Sequence, residues 1–238
     1  MMEKPFDDAA DVARNLQLIE SNIADACIAA GRKPSDVTLL GVTKTVPPHR
    51  INAAIRAGLR NIGENRVQEF MGKKDEIELS GVQVHLIGHL QTNKVSRIVT
   101  SVDMIESVDS IRLASAISGA SKKAGRVTDV LVEVNIGREQ AKSGVMEEEL
   151  PALLASMSGM DGLSVRGLMT VPPIFDSERE KRAVFARMYK LFIDIRGKNI
   201  DNIFMDVLSM GMSSDYREAV LEGATIVRVG SALFGRRQ

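Results

Sequence analysis

The sequence predicts an α/β fold, a single (β/α)8 TIM barrel that follows one extra N-terminal helix. Two observations carry this prediction: short apolar runs alternate with amphipathic segments, and the alternation repeats eight times. Most of the runs are rich in Val, Ile and Leu without strict polar alternation, which is typical of strands buried on both faces of a parallel sheet. A doubly wound open sheet is the rival architecture, but no GxGxxG motif follows the first strand.

The N-terminal helix is predicted over 8–30. Apolar residues from Val12 to Cys27 recur there at steps of three and four, and Gly31 follows as a helix terminator. Further helices are indicated by apolar positions that share one face of an amphipathic segment. They are predicted over 50–57, 110–124, 147–157 and 178–195.

The eight strands are predicted from the apolar runs that these helices separate. They cover Val37–Thr43, Leu59–Gly63, Val82–Gly88, Asp103–Glu106, Asp129–Ile136, Leu163–Thr170, Met205–Met210 and Ala224–Val229.

The bulk composition limits the classes of function. The chain has 238 residues, 44% hydrophobic and 26% charged, which fits one globular domain that we expect to cover 1–238. Its 31 basic and 31 acidic side chains balance, so no excess charge attracts nucleic acid or an anionic membrane. No apolar stretch approaches the roughly 20 residues of a membrane span, and no signal-peptide pattern opens the chain. The single cysteine, Cys27, cannot form an intramolecular disulfide, which fits a reducing compartment. The sequence therefore predicts a cytoplasmic protein.

Functional groups in a (β/α)8 barrel gather where strands end and loops begin. Lys44 follows the apolar run LLGVT at the end of the first strand, so its amine is expected at the barrel mouth with little water around it. Desolvation favours the neutral amine, which is the form that attacks an aldehyde. The alternative is a lysine that simply extends to solvent at a strand end.

Two loops rich in Gly and Ser follow the last two strands, at 209–213 and at Gly230 and Ser231. Backbone N–H groups in such loops bind anions, and the loops after the last strands are the usual phosphate site of this fold. Each loop alone also fits ordinary turn chemistry. Because the two strand ends are neighbours, their joint position predicts one phosphate site.

Other polar residues near strand ends are open to two interpretations. Arg228 lies inside the last strand, where it either forms a structural salt bridge or faces a ligand. Asn65 follows the second strand and either bonds a ring substituent or caps a helix. His85 is interpreted as a hydrogen-bonded core histidine. Neither His49 nor His89 has a second ligand at metal spacing, so no metal site is predicted.

Six segments spread over nearly the whole chain carry a family likeness. They are GVTKTVPP at 41–48, NIGENRVQEF at 61–70, HLIGHLQTNK at 85–94, VLVEVNIGREQAKSGV at 130–145, VRGLMTVPP at 165–173 and LSMGMSSDYREAVLEGATIVRVGSALFG at 208–235. Together, and in this order, they resemble the pyridoxal phosphate homeostasis proteins.

The resemblance implies an alanine-racemase-like barrel that holds pyridoxal 5′-phosphate as a Schiff base on Lys44. It further implies a phosphate held by the loops at Ser209 and at Gly230 and Ser231, with Arg228 near the pyridine nitrogen. The expected cofactor-binding residues are Lys44, Asn65, Ser209, Met210, Arg228, Gly230 and Ser231. No residue is assigned a catalytic role, because the resemblance implies a carrier or regulator of vitamin B6. We expect a monomer whose partners are the cofactor and pyridoxal-phosphate-dependent apo-enzymes.

Two enzyme functions remain as alternatives. A racemase on this barrel is expected, by resemblance, to need a tyrosine base from a second domain of a partner subunit. The chain ends at Gln238, just after the expected barrel. Neither Tyr189 nor Tyr216 is an obvious substitute for that tyrosine. A Schiff-base aldolase would use the same lysine and phosphate loops, together with an acidic proton shuttle. Glu64 is the candidate for that shuttle.

Overall fold

The computed structural model describes residues 8–139 and 141–235, so the outer bounds of the expected 1–238 domain lie outside the described residues. Eight parallel strands close into a barrel in the order β1 to β8, which confirms the predicted (β/α)8 fold. The strands are β1 Thr38–Val42, β2 Asn61–Glu64, β3 Gln83–Leu86, β4 Met104–Val108, β5 Thr128–Glu133, β6 Leu163–Met169, β7 Ile203–Ser209 and β8 Ile226–Val229.

Helices occupy the connections between successive strands, and every predicted helix is present within a few residues of its expected bounds. They are α1 Asp8–Ala29, α2 Pro48–Arg56, α3 Val67–Lys73, α4 Val95–Ile98, α5 Ile111–Lys123, α6 Leu150–Met157, α7 Glu178–Arg196, α8 Tyr216–Leu221 and α9 Ser231–Phe234. In the described ranges, none of these helices combines the length and apolar character of a membrane span.

The extra N-terminal helix completes the outer ring of the barrel. It packs against α2, α8 and α9, and so fills the place that a helix after the eighth strand takes in a regular barrel. Its apolar stripe, including Val12 and Leu16, is buried. Asn15 Nδ2 on the same helix donates a hydrogen bond of 3.1 Å to Leu233 O in α9. Helix α1 therefore joins the first described segment of the chain to the last two helices.

The interior of the barrel is polar near the carboxyl ends of the strands. Glu106 on β4 and Ser209 on β7 are hydrogen-bonded although their strands are not neighbours, so the contact crosses the interior. Strand pairing brings Leu40 and Arg228 to one level. Because paired residues on parallel strands point to the same face, Leu40 also lines this interior.

We expect Leu16→Ala to lower the free energy of unfolding by about 2–5 kcal/mol, because it leaves a cavity between α1 and the rest of the core. Leu18→Ala is the matched control, since that leucine is 60% exposed on the same helix and its loss should cost no more than about 0.5 kcal/mol. Urea unfolding of both variants checks the prediction. Equal losses would contradict the packing role assigned to α1.

Candidate functional site

Lys44 lies at the carboxyl end of β1, in a turn at the mouth of the barrel, and is half-buried. The turn begins where Thr43 N donates to Gly63 O at 2.9 Å and closes where Val46 N donates to Thr43 O at 3.0 Å. Thr45, the next residue, has a φ of +61°. The lysine is thus carried by a short, tightly bonded segment of backbone.

A buried charged cluster lies under this turn. Glu64 Oε1 accepts hydrogen bonds from Thr43 Oγ1 at 2.5 Å and forms an ion pair with Lys73 Nζ at 2.9 Å. Burial raises the pKa of Glu64, and the bonds from Thr43 and Lys73 offset only part of that rise. Because Lys73 belongs to α3, Glu64 faces the surrounding helices and not the interior of the barrel.

A chain of hydrogen bonds crosses the barrel interior from β8 to β3. Arg228 Nη1 donates to Ser209 Oγ at 2.6 Å, and Ser209 Oγ donates to Glu106 Oε2 at 2.6 Å. Glu106 Oε1 lies 2.7 Å from His85 Nδ1. Arg228 Nη2 donates to Thr170 O at 2.7 Å. All of these side chains are buried, so each polar group depends on the others for a partner.

The charges in this chain compensate one another. Burial raises the pKa of Glu106, but the hydrogen bond and charge of His85, together with Arg228 and Ser209, hold the pKa below its usual range. Burial lowers the pKa of Arg228, and Glu106 and Glu133 oppose that shift. Arg228 therefore has the structural role that the sequence left open. A guanidinium has five N–H donors, so its two hydrogen bonds leave further donors for a ligand.

Glu133 ends β5 beside this network and is almost fully buried. Burial, followed by the negative charge of Asp109, raises its pKa to about 7, while Arg228 acts in the opposite direction. Its carboxyl group is therefore poised to gain or lose a proton near neutral pH.

The two loops expected to hold a phosphate meet. Gly230 N and Ala232 N both donate to Ser213 Oγ, at 3.1 and 3.3 Å, which joins the loop after β8 to the loop after β7. Ser231 itself is exposed. Asp215 takes the position before α8, but its side chain does not bond the first turn of that helix: Oδ1 accepts a hydrogen bond of 2.6 Å from Met212 N in its own loop.

The remaining predicted site residues differ in what they expose. Asn65 does not cap a helix, because Arg66 takes the position before α3; within the described ranges, its buried Oδ1 has no hydrogen-bond partner. This oxygen is available to a ligand group. Met210 has its side chain fully buried in the hydrophobic core, and its N–H donates to Ile226 O at 3.1 Å. Ser209 has its hydroxyl inside the interior network.

Sequence reasoning missed Glu106, Glu133 and Lys73. Glu106 and Glu133 had the same signal as Arg228, a charged residue inside an apolar strand, and the same argument would have placed them in the interior. Lys73 had no such signal, because it lies in an ordinary polar helix segment. In the ranges 8–139 and 141–235, no three His, Cys, Asp or Glu side chains form a group able to hold a metal ion.

Comparisons with known proteins agree with this geometry. The family model of the alanine racemase N-terminal domain matches residues 14–238. A pyridoxal phosphate homeostasis protein from Aquifex aeolicus is 40% identical over 96% of this chain and 99% of its own length, and one from Pseudomonas aeruginosa is 38% identical over 95% and 96%.

Solved structures show the same barrel. PipY of Synechococcus elongatus PCC7942, with pyridoxal phosphate bound, has a TM-score of 0.83 at 34% identity. The match covers 94% of this chain and 100% of the PipY chain. An alanine racemase from Clostridium difficile 630 has a TM-score of 0.74 at 16% identity, and the match covers 96% of this chain but 57% of the racemase. At that identity the likeness to the racemase shows the fold alone.

The raised pKa of Glu133 predicts a pH dependence of stability. A carboxyl that is protonated more readily in the folded state stabilises it fully at low pH, and this contribution is lost as the pH rises through about 7. We expect the free energy of unfolding of the wild type to fall by up to about 3 kcal/mol between about pH 5 and about pH 8 because of this group. Glu133→Gln should not show this fall. Urea unfolding at both pH values measures the effect, with the exposed Glu178→Gln as control. Parallel pH profiles for Glu133→Gln and the wild type would contradict the prediction.

Proposed function

Because the chain belongs to the family of pyridoxal phosphate homeostasis proteins, we propose that it holds pyridoxal 5′-phosphate as a Schiff base on Lys44 and serves intracellular vitamin B6 homeostasis without strong catalytic activity. The observation that carries the proposal is the position of Lys44, half-buried in the turn after β1 at the barrel mouth. A lysine amine at this position can form an imine with an aldehyde that enters the mouth of the barrel.

The groups around Lys44 fit a phosphorylated aromatic aldehyde. When bound, the cofactor supplies an aldehyde for the amine and a ring that accepts electrons. The N–H groups of Gly230 and Ala232 already converge on one oxygen, Ser213 Oγ, and we propose that with Ser231 they bind the phosphate. The buried Oδ1 of Asn65 is proposed to meet a ring substituent. Ser209 and Met210 contribute by shaping the loop and orienting Arg228.

Arg228 supports a carrier over a catalyst. Placed near the pyridine nitrogen, as the resemblance implies, its cation disfavours protonation of the ring, because like charges repel at hydrogen-bonding distance. An unprotonated ring is a weaker electron sink. Neither tyrosine provides a base at the mouth: Tyr216 OH accepts a hydrogen bond of 3.0 Å from Asn22 Nδ2, and Tyr189 is 41% exposed on α7.

The aldolase alternative is disfavoured by the position of Glu64. An acidic shuttle must reach the group that reacts beside the lysine. Glu64 is instead bound to Thr43 and Lys73 on the helix-facing side of β2. The racemase alternative is disfavoured by the positions of the two tyrosines.

We extend the proposal to the compartment, the oligomeric state and the partners of the protein. We propose a single cytoplasmic domain over 1–238 that acts as a monomer and passes the cofactor to pyridoxal-phosphate-dependent apo-enzymes. Its balanced charge, +0 at neutral pH, supports recognition by local contacts over attraction to nucleic acid or membranes.

We expect Lys44→Ala to abolish the absorbance band near about 420 nm that forms when the wild type is titrated with pyridoxal phosphate, because that band requires a Schiff base. Borohydride reduction followed by peptide mass spectrometry should place the cofactor on Lys44 in the wild type. Lys94→Ala is the matched control, a half-buried lysine in the loop after β3, and it should keep the full band. A full band in Lys44→Ala, with Lys94 or Lys142 modified instead, would overturn the assignment.

A further inference from the structure

The turn that carries Lys44 rests on a buried ammonium group. Lys73, the last residue of α3, is only 8% exposed, and its Nζ donates to Thr43 O at 2.8 Å. A longer contact of 3.4 Å reaches Val46 O. These two carbonyls flank Lys44 and Thr45, so one ammonium binds the backbone on both sides of the lysine.

Two carboxylates hold this ammonium in place. Lys73 Nζ lies 2.9 Å from Glu64 Oε1 and 2.9 Å from Glu69 Oε1. With Thr43 O and Val46 O they offer four acceptors to the three donors of the ammonium, so the longer contact with Val46 O shares a donor. A buried ion pair adds little net stability, because desolvation of the charges offsets their attraction. What such a cluster supplies is a fixed geometry.

The backbone of the turn is held in an uncommon conformation by the same cluster. Thr45 has a φ of +61°, a region that β-branched residues rarely occupy. Its N–H donates to Glu69 Oε1 at 2.5 Å. A conformation of this kind persists only where the surroundings determine it. Glu69 binds the amide of the turn while Lys73 binds its carbonyls, and together they supply that constraint.

We propose that Lys73 is a positioning residue for Lys44: by fixing the turn from Thr43 to Val46, its ammonium sets the direction from which the Lys44 amine meets the aldehyde. The inference rests on the proposed Schiff base and adds the group that aligns it. Lys73 does not touch the cofactor in this account. It acts through the backbone, and a misplacement of about 1 Å at a reacting centre can slow a reaction by on the order of 100-fold.

Lys73→Met tests the inference, because it keeps the length and apolar stem of the side chain but removes the ammonium. Lys74→Met is the matched control: the neighbouring lysine is 31% exposed and pairs with Asp75, away from the turn. If Lys73→Met fails to fold because Glu64 loses its cation, the double variant Lys73→Met with Glu64→Gln carries the test, since it removes both buried charges.

Two probes separate alignment of the amine from general damage to the site. Stopped-flow absorbance follows Schiff-base formation with pyridoxal phosphate, and calorimetry measures binding of pyridoxine 5′-phosphate, which has the ring and phosphate but no aldehyde. We expect Lys73→Met to slow Schiff-base formation by about tenfold or more, while the affinity for pyridoxine 5′-phosphate changes by less than about twofold. Lys74→Met should change neither quantity.

Two results would overturn the inference. One is a rate of Schiff-base formation in the Lys73 variants equal to that of Lys74→Met. The other is an equal decrease in the rate of Schiff-base formation and in the affinity for pyridoxine 5′-phosphate, which would make Lys73 a general support of the fold. Failure of the proposed function is recognised separately, because the wild type would then form no Schiff base on Lys44.

Discussion

A permanently charged guanidinium inside the barrel is the constraint on which the rest of the interior depends. Arg228 has lost its water, and it is stable there only because Glu106, Ser209 and the Thr170 carbonyl replace that solvation. Glu106 in turn needs His85 as a second partner. The polar layer near the mouth is therefore one connected unit contributed by β3, β4, β7, β8 and the residue after β6. None of its members can be lost without leaving a buried polar group unpaired.

On the proposed function, two clusters on opposite faces of the barrel wall have different roles. The interior network around Arg228 fixes the charge that the ring of the cofactor meets. The cluster of Lys73, Glu64 and Glu69 lies on the helix-facing side and fixes the turn of Lys44. The loops after β7 and β8 are proposed to bind the phosphate. On that proposal, an aldehyde on an unprotonated pyridine ring is suited to storage and transfer of the cofactor.

Much of the fold was predictable because a buried parallel strand has a distinctive local composition. All eight runs became strands, and Gly31 adopts the positive φ of +67° expected after α1. The rule that functional groups gather at strand ends also singled out Lys44 and the two loops, and the structure shows that these loops are in contact. These features depend on short stretches of chain, which a single sequence records directly.

The interactions that complete the site were not predictable, because they join residues far apart in the chain. The bond between Glu106 and Ser209 links positions 103 residues apart. Lys73 and Lys74 are adjacent lysines in one segment, yet the first is buried under the Lys44 turn and the second is partly exposed. Only the packing of α3 against the barrel distinguishes them.

The central claim, that this site carries the cofactor without using it for catalysis, is tested most directly by turnover. Holo-protein is incubated with a panel of L- and D-amino acids while chiral composition and keto-acid release are followed. We expect no more than trace racemisation, transamination or decarboxylation. Sustained turnover near about 1 per second, the low end of ordinary enzymes, that disappears in Lys44→Ala would contradict it.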